Sequence, residues 1–237
     1  LFAYLYFAEM KNIDPKNPKA ENRDRFVLSK GHCAPGLYSA LALKGFFPFE
    51  DLKTLRHIGS YLQGHPNMNT VPGVDMSTGS LGQGISAAAG MAKGAKYLDK
   101  DINVYTLLGD GEIEEGQVWE AMMFASQYKL DNLCVIVDVN GLQIDGKCED
   151  VMNAEPIDKK MEAFGLNVIK INGNDFDELE KAFDAFHENI GSGKPFGIIM
   201  KTVKGLGVSY MENQVGWHGK APNDEEYEIA MNELKAK

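Results

Sequence analysis

The sequence predicts an α/β fold, a mostly parallel sheet with helices on both faces, and three observations carry that reading. Ile102 to Leu108 and Leu133 to Val139 are short runs rich in Val, Ile and Leu, the composition of strands buried on both faces. The segment between them has helical length and periodicity, which completes a βαβ unit. Beyond that unit, strand-like and helix-like segments keep alternating, as they do in a sheet built from crossover connections.

Taken in order, Leu1 to Met10 (LFAYLYFAEM) is apolar, does not begin with Met, and reads as the second half of a helix already under way. It has neither a basic leader nor a small-residue cleavage site, so it does not read as a signal peptide, and further residues are expected upstream. Asn12 to Asp24 is a polar loop punctuated by Pro15 and Pro18, and Arg23 to His32 is a short strand running into a Gly31-His32 turn. Gly36 to Lys44 predicts a helix, Pro48 to His57 a second, amphipathic one, and Tyr61 to Asp75 a loop of functional length containing Gly64-His65-Pro66-Asn67. Ser77 to Gly84 opens a helix of small residues that runs to about Leu98.

After the central unit, Ile157 to Phe164 predicts a helix, Asn167 to Ile171 a strand, Asp175 to Ile190 a helix and Phe196 to Met200 a strand. Thr202 to Lys220 is a glycine-bearing loop around His218. Asn223 to Lys237 closes as a helix with an Asn cap and an acidic first turn.

With 237 residues, 44% of them hydrophobic, and no charged or proline-rich linker, the chain predicts one α/β domain spanning residues 1–237. The formal charge of −10 disfavours nucleic acid and anionic membranes as partners, and no apolar run approaches membrane length. Cys33, Cys134 and Cys148 are an odd number in no metal-binding spacing, and Cys134 lies inside a predicted buried strand, so a reduced, cytoplasmic protein is expected.

The chemistry concentrates at the two central strand ends, where Gly109-Asp110-Gly111 closes the first and Asn140 the second. The carboxyl ends of parallel strands border the ligand crevice, which places Asp110 and Asn140 side by side at its lip. One carboxylate and one amide oxygen suit Mg²⁺, whose other ligands are commonly phosphate oxygens and water. Gly109 and Gly111 would let the backbone approach a diphosphate, with the next helix's amino terminus favouring its charge. The alternative is a tight βα turn followed by a solvated acidic helix start, Glu112 to Glu115. A dinucleotide-binding reading fits poorly, because GDGEIE lacks the third glycine of GxGxxG.

Of the five histidines, His57 and His187 fall on predicted helices, whereas His32, His65 and His218 each sit beside glycine in a loop. Three such residues near a diphosphate site point to a cluster for proton traffic. Zinc is the rival use, but the spacing is irregular and there is no HExxH helix.

GDG followed about thirty residues later by Asn resembles the thiamine diphosphate fingerprint. The motifs DRFVLSKGH, GHPN, STGSLGQGIS, GDGEIEEGQVWEA, VDVNGLQIDG and GWHGKAP occur in the order and spacing of transketolase's amino-terminal, diphosphate-binding half, and the resemblance covers nearly the whole chain. Ser80 stands where fused transketolases more often have Pro, so the STGSL form resembles the split transketolases, whose halves are separate polypeptides.

The resemblance implies the thiamine diphosphate-binding (PP-type) fold, with thiamine diphosphate and Mg²⁺ as cofactors and Ca²⁺ or Mn²⁺ as substitutes. It implies Asp110, Asn140 and the Leu142 carbonyl as metal ligands, and His32, Gly109, Gly111 and His218 near the diphosphate. Gly79, Ser80 and Leu81 would meet the aminopyrimidine, Ile144 would pack on the thiazolium, and His65 would reach the donor sugar. Glu115 and Glu120 follow the pattern of the family's interface glutamates, with Glu115 also among the implied cofactor contacts, and a solvated helix face is the alternative for both. Trp119, Met122 and Met123 would supply apolar surface at that interface.

The implied reaction is two-carbon ketol transfer between sugar phosphates, with His32, His65 and His218 as catalytic candidates. A carboxy-terminal partner subunit would complete the site, in a heterotetramer of two chains of each kind. The glutamate that activates the aminopyrimidine belongs to that partner in the family, and a further His precedes Leu1, so this chain alone is expected to be inactive. The rivals are another thiamine diphosphate enzyme subunit (2-oxoacid dehydrogenase alpha or deoxyxylulose phosphate synthase) and a non-catalytic cofactor-binding subunit.

Overall fold

A computed structural model describes residues 1–236. Its seven strands are β1 (Arg25–Leu28), β2 (Val104–Gly109), β3 (Leu133–Val139), β4 (Leu142–Gln143), β5 (Gly146–Lys147), β6 (Asn167–Asn172) and β7 (Phe196–Lys201). Five of them form one parallel sheet in the order β1-β2-β3-β7-β6, and β4 pairs with β5 as a small antiparallel hairpin. The eight α-helical segments are α1 (Phe2–Tyr4), α2 (Ala34–Lys44), α3 (Gly84–Tyr97), α4 (Gly116–Gln127), α5 (Cys148–Val151), α6 (Ile157–Ala163), α7 (Phe176–Asn189) and α8 (Asp224–Lys235).

The chain steps from β1 to β2 to β3 in one direction, crosses to β6 at the far edge, and returns to β7. Strand order therefore reverses between β3 and β7, and right-handed crossovers put helices on both faces. Period-two side chains serve two cores. Tyr105, Leu107, Cys134 and Ile136 meet α2, α7 and the amino-terminal segment, while Val104, Leu108, Val135 and Val137 meet α3, α4 and α6. Each large apolar side chain fully buried in these layers stabilises the fold by about 1.5–3 kcal/mol relative to exposure.

Most elements lie where periodicity placed them, and the differences have physical causes. Pro48 to His57 forms only a short 3₁₀ stretch, Phe49–Thr54, none of whose residues is buried. With no apolar face to seat, the chain turns at Arg56, whose backbone is left-handed with φ of 61°. The small-residue helix begins at Gly84 rather than Ser77, because the preceding loop is held elsewhere: the Thr78 N–H donates to the Pro66 carbonyl, and Thr78 Oγ1 donates to that of Leu28.

Leu1 to Met10 is helical as expected, but as α1 followed by a π-type turn over Leu5–Glu9. Met122 is fully buried in the core against α3, so it supplies no surface for an interface, whereas Met123 is exposed and Trp119 leans on Phe164. Two-residue strands have no readable period, so the β4–β5 hairpin and α5 carried no sequence signal. The last residue of the predicted terminal helix, Lys237, lies outside the described residues. Among the described residues no helix is long and apolar enough to cross a membrane.

Candidate cofactor site

The carboxyl ends of the strands open on a cavity of about 780 Å³, beside the point where strand order reverses. At its lip, directly after β2, lies Asp110, which is only 5% exposed. Its Oδ1 accepts the Gly111 N–H at 2.9 Å and its Oδ2 accepts the Gly141 N–H at 2.6 Å, while Asn140 Oδ1 accepts the Leu142 N–H at 3.1 Å. Burial pushes the Asp110 carboxyl up, with hydrogen bonds from Gly141 and Gly111 opposing it.

Among the described residues no Lys or Arg forms an ion pair with Asp110. A buried, hydrogen-bonded carboxylate without a cationic partner, beside an amide oxygen and a turn of main-chain carbonyls, is a hard-oxygen donor set that fits a divalent cation. Asp110, Asn140 and the Leu142 carbonyl could hold one. Among the described residues there is no cluster of three His, Cys, Asp or Glu arranged for a metal, so the histidines offer no zinc site.

The three loop histidines converge on this cavity. The His32 and His218 rings stack, with centroids 5.1 Å apart and planes at 25°, and Lys204 Nζ lies 3.1 Å from His218 Nδ1. Burial, reinforced by His218 and the lysine charges, lowers His32 to about 4. Burial and the Lys204 charge lower His218 as well, which favours the neutral form of both imidazoles, with His218 Nδ1 accepting from Lys204. His65 approaches from the opposite loop. The Tyr38 hydroxyl is within hydrogen-bond reach of the carbonyls of Gln63 and His65, and a Cβ on Gly79 would sit 3.0 Å from the His65 ring.

Gly109, Gly111, Gly79, Leu81, Leu142 and Ile144 also line the cavity, and Ile144 is 69% exposed into it. Two expected contacts do not line it. Ser80 is exposed, turned out between Gly79 and Leu81, and Glu115 is exposed at the amino-terminal cap of α4, against Gly82. In the single chain Glu120 is exposed too.

The site contains charged groups that sequence reasoning missed. Lys30, at the end of β1, pairs with Asp138 of β3, which also accepts from Thr202 Oγ1. Burial alone would depress Lys30, but the Asp138 charge outweighs it and keeps the ammonium protonated, while burial of Asp138 is likewise outweighed by Lys30. One signal for this pair is visible in LCVIVDV, where an acid two residues before Asn140 interrupts a buried strand.

Glu112 gave no such signal, since it reads as part of a solvated acidic run. It is 2% exposed, and it accepts from Ser29 Oγ at 2.5 Å, Gly82 N–H at 2.9 Å and Gly109 N–H at 3.1 Å. One carboxylate thus ties the ends of β1 and β2 to the Gly79–Gly82 loop. Burial pushes its pKa up, against those three hydrogen bonds.

This arrangement has close relatives. A family model described as "Transketolase, thiamine diphosphate binding domain" matches residues 2–236. The chain is 45% identical to the 6-deoxy-6-sulfo-D-fructose transketolase subunit SqwG of Clostridium sp. (strain MSTE9), covering 99% of this chain and 84% of that protein. It is also 45% identical to one of the subunits of the apulose-4-phosphate transketolase of Phocaeicola vulgatus, covering 97% of this chain and 80% of the relative. Its fold superimposes on the transketolase of Campylobacter jejuni with a TM-score of 0.87 and 35% identity, over 98% of this chain but only 37% of that longer one. On its fold, its motifs and these relatives, the chain belongs to the transketolase thiamine diphosphate-binding domain family.

Proposed function

We propose that this chain is the amino-terminal subunit of a split transketolase. With a carboxy-terminal partner, it transfers a two-carbon ketol unit from a ketose phosphate to an aldose phosphate, using thiamine diphosphate and Mg²⁺. The observation that carries this reading is the convergence of Asp110, the Asn140–Leu142 turn and three loop histidines on one cavity at the carboxyl edge of the sheet. Relatives named as subunits support the need for a partner, and a two-plus-two assembly is the simplest closed arrangement. The relatives' names cover a sulfonated ketose and a ketose phosphate, so the donor is a ketose bearing an anionic group.

In this reading Asp110, Asn140 and the Leu142 carbonyl hold Mg²⁺. Gly109 and Gly111 give the diphosphate a backbone edge without side chains, and Lys204 and His218 present N–H groups to it. Bound there, thiamine diphosphate supplies the carbon nucleophile and electron sink for breaking and remaking the C–C bond. Ile144, exposed at the cavity wall, gives the thiazolium an apolar surface. His32, neutral, takes and returns a hydroxyl proton of the sugar, His218 supports that traffic through its place beside His32, and His65 orients donor hydroxyls from the facing loop. Gly79 and Leu81 form the wall toward the aminopyrimidine. Ser80 and Glu115 face outward, toward where the partner or a second copy would lie.

The test is to co-express the full-length chain with candidate carboxy-terminal partners and follow ketol transfer from xylulose 5-phosphate to ribose 5-phosphate. Transfer only when both chains are present supports the reading, whereas transfer by this chain alone overturns the split-subunit part of it.

A further inference from the structure

His218 reaches the cavity from the end of a short 3₁₀ turn, Val215–Trp217, inside the long loop that follows β7. A turn of that kind has no strand or long helix of its own to fix the ring. Its neighbour Trp217, however, is gripped by two side chains. The Tyr210 ring lies 4.9 Å away between centroids, at 55°, and Lys220 Nζ sits 4.1 Å from the indole centroid.

Both of those side chains end on one residue of α8. The Tyr210 hydroxyl donates to the Glu226 carbonyl at 2.6 Å and Lys220 Nζ donates to Glu226 Oε1 at 2.9 Å, while Glu226 closes the capping box with Asn223. Further along α8, Glu233 accepts from the Ser209 N–H at 2.7 Å and from its hydroxyl at 2.6 Å. The helix itself buries only Ala230, which belongs to neither core, and leaves Tyr227, Ile229 and Leu234 exposed. Within the loop the Asn213 N–H donates to the Lys204 carbonyl at 2.9 Å, from a left-handed backbone with φ of 55°. Lys204 and His218, whose side chains meet at 3.1 Å, are thus held through one braced loop.

We infer that Trp217 is a positioning residue, splinted by α8 through Tyr210 and Lys220, so that the adjacent His218 stays stacked on His32 and within reach of Lys204. The inference rests on the ketol-transfer reading and deepens it, by naming what sets the geometry of the His32, His218 and Lys204 group. An imidazole that has to meet a second imidazole and a bound ligand gains from a fixed backbone, because misplacement by about 1 Å can lower a rate by about a hundredfold. Tryptophan offers a cation the best of the aromatic faces, and its stacking surface is the largest, which suits the residue that is gripped. As simple surface cover, Trp217 would have no reason to carry two contacts that both lead to the same helix cap.

The experiment uses the full-length chain assembled with its partner, comparing wild type, Trp217→Phe, Trp217→Ala and Lys220→Met at saturating thiamine diphosphate. Trp217→Ala should lower kcat about ten- to a hundredfold while KM for the ketose changes by less than about twofold, because His65 is untouched. Trp217→Phe keeps a ring for Tyr210 and Lys220 and should recover most of the rate. Lys220→Met should fall between the two.

A second readout needs no turnover. Before cofactor is added, carbethoxylation of His218 by diethylpyrocarbonate, read by peptide mass, should be several-fold faster in Trp217→Ala than in wild type, with the exposed His57 as the unchanged reference. Wild-type kcat in Trp217→Ala, or a His218 labelling rate equal to that of wild type, would overturn the inference. So would equal losses of kcat in Trp217→Phe and Trp217→Ala, or a labelling increase shared by His65, which would make the effect a general loosening. A wild-type assembly that transfers no ketol unit, with His218 still freed by Trp217→Ala, would overturn the functional reading and leave the splint standing.

Discussion

Asp110 and Gly141 are joined across the mouths of two neighbouring strands: the carboxylate at the end of β2 accepts the main-chain N–H just beyond β3 at 2.6 Å. The contact fixes the turn that carries Asn140 and Leu142, while leaving a buried negative charge without a cation. Metal and diphosphate binding should therefore stabilise the protein measurably. At a ligand concentration of 100 times Kd the gain is about 2.7 kcal/mol, read as a rise in Tm on adding Mg²⁺ with thiamine diphosphate. Asp110→Asn should abolish that rise, because the amide removes the charge. A variant whose Tm still climbs with Mg²⁺ and cofactor as in wild type would remove Asp110 from the metal site.

Glu112 should matter as a clamp. In Glu112→Gln one oxygen can still serve Ser29 and Gly82, but the amide NH₂ then faces the Gly109 N–H, and a donor opposite a donor in a buried place costs about 1–3 kcal/mol. Denaturant unfolding should show that loss. Hydrogen exchange at Gly109 should accelerate in the same variant, and an exchange rate equal to wild type would mean the clamp does not restrain the cofactor edge.

His32 predicts a pH dependence. Its pKa is about 4 in the folded chain against an ordinary value of 6.5, so between those values the unfolded chain binds more protons. The stability it contributes is fully present above pH 6.5 and is lost as pH falls toward 4. Asp110 and Glu112 act in the opposite sense, since their raised pKa values mean that protonation relieves the folded state. The clean measurement is a difference: wild type should lose more stability than His32→Gln between pH 6.5 and 4. Parallel stability curves would contradict the depressed imidazole.

Two glycines of α3 should respond oppositely to alanine. Gly90 has open space where a Cβ would stand, so Gly90→Ala should stabilise the chain by about 0.5–1 kcal/mol through helix propensity. At Gly84 an added Cβ would meet Ser29 Cα at 2.6 Å, so Gly84→Ala should destabilise by about 1–3 kcal/mol, overpacking outweighing propensity. Thermal or denaturant unfolding of the two variants checks the pair, and a stabilising Gly84→Ala would mean α3 can slide off the end of β1.

The sequence by itself determined the sheet and the lip of the site. Strands buried on both faces have to be apolar throughout, so β2 and β3 were visible as runs, and the polar residues that follow them, Asp110 and Asn140, marked the crevice. The three loop histidines were legible as well, because glycine on one side and loop composition on the other set each apart from a helix face. What only the tertiary structure decided depends on contacts between residues distant in sequence. Glu112 lies in an acidic run that looks solvated, and it is buried because Ser29 and Gly82, from two other segments, bring donors to it. Met122 and Met123 are chemically alike and adjacent, yet the 100° step of the helix puts one in the core and leaves the other exposed. Ser80 and Glu115 fall within matching motifs, but a loop sets the direction of its side chains through its own backbone turns, which here point both outward.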